Sequence, residues 1–304
     1  MDGYKKIIKS QKARMAILKA LSFIPDKAMI KLQYWIKLKR HLNLENPQRY
    51  TEKLQWYKLF YRNPVMTTCV DKNKVRDYII KQGLSEILPI RYQTVKRPEE
   101  IKLEELPDSF IIKTANGSGT NIVCNDKSKI SWLQTLAKLK EYMDRPQISA
   151  GREWAYNDVE NSIIVEELLK DPENPYGGIN DYKFICFAGN VYCVVVDVGR
   201  FTDHGRNFYT TDWQRINAVS DHRNFEPDIQ KPKNLEKMLE IAAKLSKPFP
   251  HVRVDLYNIN GRIYFGEMTF YPWSGYVQYT PDSFDFDLGE NFILMRYSDK
   301  YERT

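Results

Sequence analysis

The four cysteines of this 304-residue chain, Cys69, Cys124, Cys186 and Cys193, form no Cys-x-x-Cys pair. Neither zinc nor a disulfide framework is expected from residues scattered this way, and the compartment they suggest is a reducing cytoplasm. Three of them sit in apolar, strand-like runs, where cysteine behaves as a small hydrophobe. No apolar run approaches the length that spans a bilayer. Residues 1–30 lack an uninterrupted apolar core and a small-residue cleavage site, so no secretory signal is expected. Repeats and low-complexity tracts are absent, which excludes solenoid architectures.

A positive surplus is also lacking over most of the chain. The net charge is +7, yet residues 1–40 hold eleven Lys and Arg against Asp2 and Asp26, so residues 41–304 sum to about −2. A body without basic surplus argues against nucleic acid as a partner. In the basic front segment, Tyr4, Ile7, Ile8, Met15, Leu18 and Leu21 fall near one face of a helix over 4–24, and Pro25-Asp26 opens a second over 27–40. Two solvated helices packed on the body by apolar stripes would read this way. So would a peripheral contact with an anionic membrane at the cytoplasmic face.

Hydrophobic residues make up 42% and charged residues 28%, enough for a real core in one large domain or two closely packed ones. Helices are expected over 51–60, from Asp71 (N-cap) to Gly83 (stop), over 132–143 and over 235–245. Strands are expected over 92–95, 110–113, 122–124, 161–169, 181–187, 191–198, 252–256 and 262–267. Residues 98–109 read as an acidic helix and loop, and 199–233 as polar and irregular. Hairpin connections dominate after residue 110, so the class is α+β with antiparallel sheets.

Two stretches carry chemistry. The first is Phe110-Ile111-Ile112-Lys113-Thr114-Ala115-Asn116-Gly117-Ser118-Gly119-Thr120-Asn121. An apolar strand ends in a lysine and a small polar loop whose backbone N–H groups can approach phosphate closely. The lysine precedes the glycines, which is not the Walker A order; an ordinary hairpin turn would share this composition. The second runs from His251 to Thr269. Val252, Val254 and Leu256 alternate with Arg253 and Asp255, which therefore share a face. A three-residue loop, Ile259-Asn260-Gly261, sets Arg253 opposite Glu267 and brings Asp255, Glu267 and Thr269 to the same side. A two-residue Asn-Gly loop would send Glu267 to the other face. Two carboxylates with a hydroxyl suit Mg²⁺, and Arg253 beside them could neutralise a transferring phosphoryl group. An exposed cross-strand Arg/Glu pair would also fit.

The order of these pieces, with Asp71-Lys72 before them and Glu166-Glu167-Leu168-Leu169 and Asp181 between them, resembles the ATP-grasp superfamily. It looks most like the TupA-like branch, associated with polysaccharide and teichuronopeptide biosynthesis, from about Lys53 to Tyr276. The resemblance implies an ATP-grasp fold in which Lys72 and Lys113 reach the nucleotide phosphates. A loop with Gly117, Ser118 and Gly119 would cover them. Glu166, Glu167 and Leu168 would hold adenine, Asp181 the ribose, and Asp255 and Glu267 Mg²⁺, with Arg253 near an acyl phosphate. Thr269 stands where Glu-x-Asn usually ends, which weakens a second metal. Residues 1–70 read as a basic helical region ahead of an ATP-grasp domain at 71–304. Its subdomains would be about 92–160, with the glycine-rich loop, and 161–280, with the hinge and the metal hairpin.

The activity implied is an ATP-dependent carboxylate–amine ligase working through an acyl phosphate. Its partners would be a uronic-acid-bearing precursor of a capsule or other cell-surface glycan, and an amine or amino acid. Arg200 and Arg206 are candidates for holding phosphate or the substrate carboxylate, and His204 for taking the amine's proton; solvated loop charges would read the same. A sugar kinase using the same cleft, a glycosyltransferase using Asp285-Phe286-Asp287 as a metal-binding D-x-D, and a binding-only module are the competing readings.

Overall fold

The strand-forming runs build two antiparallel sheets, as the α+β class requires. The computed structural model describes residues 20–21, 23–115, 119–144, 150–200 and 202–297, so most of the helix expected over 4–24 lies outside it. The smaller sheet has the order β1 (Arg91–Val95), β4 (Ile163–Glu167), β2 (Phe110–Thr114), β3 (Ile122–Cys124). The larger has the order β10 (Arg262–Thr269), β9 (Val252–Ile259), β5 (Asp181–Phe187), β6 (Asn190–Val198), β7 (Gly205–Tyr209), β8 (Arg215–Ile216).

Strand alternation gives each sheet one apolar face. In the smaller sheet Phe110, Ile112, Cys124, Ile163 and Val165 form a core with Leu139 of α5 (Trp132–Met143). In the larger, Phe184, Val194, Val196, Val254 and Leu256 pack with Leu235, Met238, Ile241 and Leu245 of α6 (Leu235–Ser246). The remaining helices are α1 (Asp26–Leu38), α2 (Tyr50–Phe60), α3 (Val65–Val70), α4 (Val75–Lys81) and α7 (Ser283–Asn291). Tyr50, Leu54 and Tyr57 of α2 join the large sheet's core with Phe284 and Leu288 of α7. Residues 50–70 therefore belong to that body rather than to a separate front region. Strand β4 finds its backbone partners in β1 and β2, so a boundary near 160 separates two strands of one sheet.

Several elements differ from expectation for local reasons. Helix α4 begins four residues after Asp71, because Asp71 Oδ1 accepts from the N–H groups of Asn73 (2.8 Å) and Lys74 (3.2 Å) and closes a turn first. Gly83, at φ 68°, does stand just past the helix end. Residues 98–109 hold only short 3₁₀ turns at Pro98–Glu100 and Leu103–Glu105. The stretch 199–233 contains β7 and β8, whose buried Arg206 and Asn207 disguise the alternation.

Candidate active site

The hairpin β9–β10 reaches the expected face by an unexpected route. Its turn has two residues, Asn260 (φ 53°) and Gly261 (φ 94°), with Ile259 paired to Arg262. Positive φ at both positions is what a type I′ turn needs. That parity alone would point Glu267 away from Asp255. A bulge between Phe265 and Glu267, at Gly266, restores it, so that Glu267 pairs with Asp255 and Thr269 with Arg253. The expected three-residue loop and the Arg253–Glu267 pairing are thus corrected, while the four side chains still share one face.

Arg253 stands between the two acids. Its Nε and Nη2 donate to Asp255 Oδ1 (2.6 Å) and Oδ2 (2.7 Å), and Nη2 also reaches Glu267 Oε1 (2.8 Å) and Thr269 Oγ1 (3.2 Å). Lys183 Nζ donates to Asp255 Oδ2 at 2.9 Å. Burial pushes the Asp255 carboxyl up to about 6, against the pull of Arg253 and Lys183. The side chain of Glu267 is half exposed to the cleft. The packed surroundings raise its pKa, but Arg253, Lys183 and Lys72 outweigh them and hold it at about 2.

On the small sheet, alternation sends Lys113 and Glu166 to the same face and Glu167 to the other. Lys113 Nζ donates to Glu166 Oε2 (2.8 Å), and Arg76 of α4 donates to Oε1 (3.1 Å). Glu167 is occupied elsewhere. Its Oε2 accepts from Ile90 N–H (3.0 Å), and its own N–H donates to Ile90 O (2.8 Å). Leu168 follows half-buried. Lys72 is rooted at the end of β2, with its N–H on Ala115 O (3.3 Å) and Nζ on Thr114 O (3.2 Å). Burial lowers its pKa, and among the charges acting on it Glu267 of the opposite sheet comes first. Lys72 thus lies within electrostatic range of Glu267. Thr114 and Thr120 join their hydroxyls at 2.6 Å across the base of the loop, and Gly119 takes φ 69°. Gly117 and Ser118 lie outside the described residues.

The polar face continues across the large sheet. Lys183 gathers Asp181, Asp255 and, at 3.6 Å, Asp197. Arg200 Nη1 donates to Asp181 Oδ2 (2.9 Å), while Asp181 Oδ1 is buried with no hydrogen-bond partner. Arg206 is neither solvated nor open to a ligand. It is buried on β7, bound to Asp197 (2.6 and 3.1 Å) and to Asp221. Burial raises the Asp197 pKa, but Arg206 outweighs it and holds the group well below the carboxylate range. His204 lies 3.3 Å from Asp197 and 3.8 Å, ring to ring, from His222. His204 directly precedes β7, which lies three strands from β9 in the sheet order.

Lys183 and Asp197 went unforeseen, and so did three further neighbours of the site. Arg76 pairs with Glu166, Tyr257 pairs with Asp181 across β5 and β9 on the face that Asp255 shares, and Trp273 lies over Arg206 (4.9 Å) and Arg253 (5.6 Å). The one sequence signal was Pro272-Trp273-Ser274-Gly275. It forms a turn in which Trp273, Ser274 and Gly275 all have positive φ. The D-x-D pair has a structural occupation: buried Asp285 accepts from Thr51 N–H (3.0 Å) and Oγ1 (2.8 Å) at the start of α2.

Two antiparallel sheets, one carrying Lys113 and the other an acid-bearing hairpin, match the layout expected of an ATP-grasp fold. The chain belongs to the TupA-like ATP-grasp family, whose model matches residues 52–293. No curated protein matches it by sequence. Among solved structures it is similar to D-alanine–D-alanine ligase from Bacillus anthracis (TM-score 0.42, 16% identity, covering 66% of this chain and 57% of that one). The same enzyme with ATP gives a TM-score of 0.48 at 14% identity, covering 78% and 69%. L-amino acid ligase from Bacillus licheniformis gives 0.45 at 13%, covering 97% and 65%. The chain thus spans 57 to 69% of the length of these relatives. At these TM-scores the likeness concerns chain path, and no substrate or residue role is taken from it.

The donor set at the hairpin fits one Mg²⁺ ion arriving with nucleotide. Two carboxylates face each other across a ladder with a hydroxyl beside them, and Mg²⁺ needs only one or two such acids when phosphates and water complete its shell. Among the described residues no group of three or more His, Cys, Asp or Glu is arranged to hold a metal by itself.

Proposed function

We propose that this chain is an ATP-dependent ligase that joins a carboxylate to an amine through an acyl phosphate. The carboxylate would be a uronic acid on a capsular or teichuronopeptide-like glycan precursor, the amine a small amino compound or amino acid. A cytoplasmic location goes with that role. What supports the reading is the family match together with two charged groups of the kinds it needs: Lys113 with Lys72 at the end of β2, and Asp255, Glu267 and Arg253 on one face of the β9–β10 hairpin.

In this reading Lys72 and Lys113 hold the terminal phosphates, Lys113 exchanging its bond to Glu166 for a phosphate oxygen. Adenine lies along the backbone beyond Glu167, whose N–H is already used. Asp181 offers its unpartnered Oδ1 to a ribose hydroxyl. Asp255, Glu267 and Thr269 would hold Mg²⁺, which when bound neutralises phosphate charge. A substrate carboxylate oxygen attacks the γ-phosphorus and ADP departs. The amine then attacks the acyl carbon, and inorganic phosphate leaves with formation of the amide and release of a proton. Arg253, buried and held firmly charged by its acidic neighbours, is placed to offset negative charge as the phosphoryl group moves.

The experiment is incubation with ATP, Mg²⁺ and paired acids and amines, with product analysis. Amine-dependent formation of ADP, phosphate and an amide is expected. A stable phosphoester formed without an amine would replace the ligase by a kinase.

A further inference from the structure

Helix α1 buries one apolar stripe, Met29, Ile30, Tyr34 and Leu38, against the body. It leaves a second stripe open. Leu32, Trp35 and Ile36 are 47%, 51% and 48% exposed, and Phe23 just before the helix is 80% exposed. Positions 32, 35 and 36 share one helical face. Lys27, Lys31, Lys37 and Lys39 are exposed along the same segment, with Lys39 Nζ 5.5 Å from the Trp35 ring. The one acid of the helix, Asp26, is paired with Arg152 at 2.9 Å. Single exposed apolar residues need no explanation, but three together within a lysine-rich segment do.

The helix is mounted close to the cleft. Gln33 donates to Ala150 O (2.8 Å) and accepts from the Tyr276 hydroxyl (2.8 Å), and Lys37 Nζ lies 4.3 Å over the Tyr276 ring. Tyr276 directly follows the turn that carries Trp273, the residue over Arg253.

We infer that the outer face of α1 docks on an anionic lipid surface, with Leu32, Trp35 and Ile36 entering the interface and the lysines meeting the headgroups. Charge complementarity selects this partner. Residues 1–40 hold the whole basic surplus of the chain, and the body is slightly acidic. Aliphatic side chains beside the tryptophan suit acyl chains, whereas nucleic-acid bases ask for aromatic platforms. Docking here holds the cleft beside a substrate borne on the membrane, and it stands independently of the reaction assigned above.

The test is flotation of the full chain with vesicles of phosphatidylcholine alone or mixed in equal parts with phosphatidylglycerol. Binding to the mixed vesicles alone, weakening as salt rises, is expected. The triple variant Leu32→Ser, Trp35→Ser, Ile36→Ser should lower partitioning by about tenfold or more, with an unchanged melting temperature because all three positions are exposed. Absence of binding, equal binding to neutral vesicles, or a variant that binds like the wild type overturns the inference. So does a lipid-free dimer that the variant converts to monomer, or stronger binding to a single-stranded oligonucleotide than to the mixed vesicles.

Discussion

Gly266 decides which way Glu267 points, and replacing it with alanine tests that directly. A Cβ built there lies 2.9 Å from the Asp255 carbonyl oxygen, 3.3 Å from its carbonyl carbon and 3.3 Å from Tyr257 Cε2. The first two are backbone atoms of the paired strand and cannot swing aside, so β9 and β10 must separate at the bulge. Overpacking of this kind costs about 1–3 kcal/mol, or roughly 2–4 °C in Tm per kcal/mol for a mid-sized domain. The separation falls where Glu267 faces Asp255, so Mg²⁺-dependent nucleotide binding should weaken further than stability does. Urea denaturation and thermal shift with and without Mg²⁺ and an ATP analogue measure the two effects. A Gly266→Ala variant with stability within about 0.5 kcal/mol of wild type and undiminished binding would refute the bulge argument.

His251 is fixed as a neutral tautomer, because Nδ1 faces Cys186 O (3.0 Å) and must donate, leaving Nε2 to accept from the Tyr50 hydroxyl (3.0 Å). Burial lowers its pKa from 6.5 to about 3. Below 6.5 the unfolded chain takes a proton that the fold refuses, so stability falls with pH by about 1.4 kcal/mol per unit down to the folded value. Urea titrations between these limits should show a slope shallower by one proton in His251→Gln, and parallel slopes would dismiss the assignment. Asp285→Ala removes the partner of Thr51 N–H and Oγ1 and should cost about 1–3 kcal/mol, leaving ATP-analogue binding intact. Loss of UDP-sugar binding in that variant would instead revive the glycosyltransferase reading. Glu166→Gln deprives Lys113 and Arg76 of their shared counter-charge and should destabilise by a similar amount; equal urea midpoints would show that the pairing contributes nothing.

Elements with clean periodicity were legible in the sequence. Helix α5 and strand β5 have the expected bounds, and α6 differs by a single residue. The strands that carry the two chemical stretches were legible as well, because Lys113, Arg253 and Asp255 sit in short alternating strands whose parity is unambiguous. The Asn260-Gly261 turn was misjudged, since a glycine inside a strand shows where a bulge can form but not that it will cancel a turn's parity. Arg206 and Asp197 defeated the reading for another reason. A buried arginine bound to two acids has the local composition of a solvated loop, and only the tertiary partner tells them apart. The split of Glu166 from Glu167 was available from alternation alone. Trp273 was not, because its place over Arg206 and Arg253 depends on a turn of three left-handed residues.

The central claim is that Lys113 on one sheet, Lys72 in the turn bonded to the end of its strand β2, and Asp255 and Glu267 on the other sheet grip the same nucleotide. Calorimetric titration of a non-hydrolysable ATP analogue with Mg²⁺ into wild type, Lys113→Ala and Glu267→Gln tests it most directly. Mg²⁺-dependent binding to the wild type that is severely weakened in both variants, each still folded, is the expected result. Wild-type affinity retained in both would contradict it.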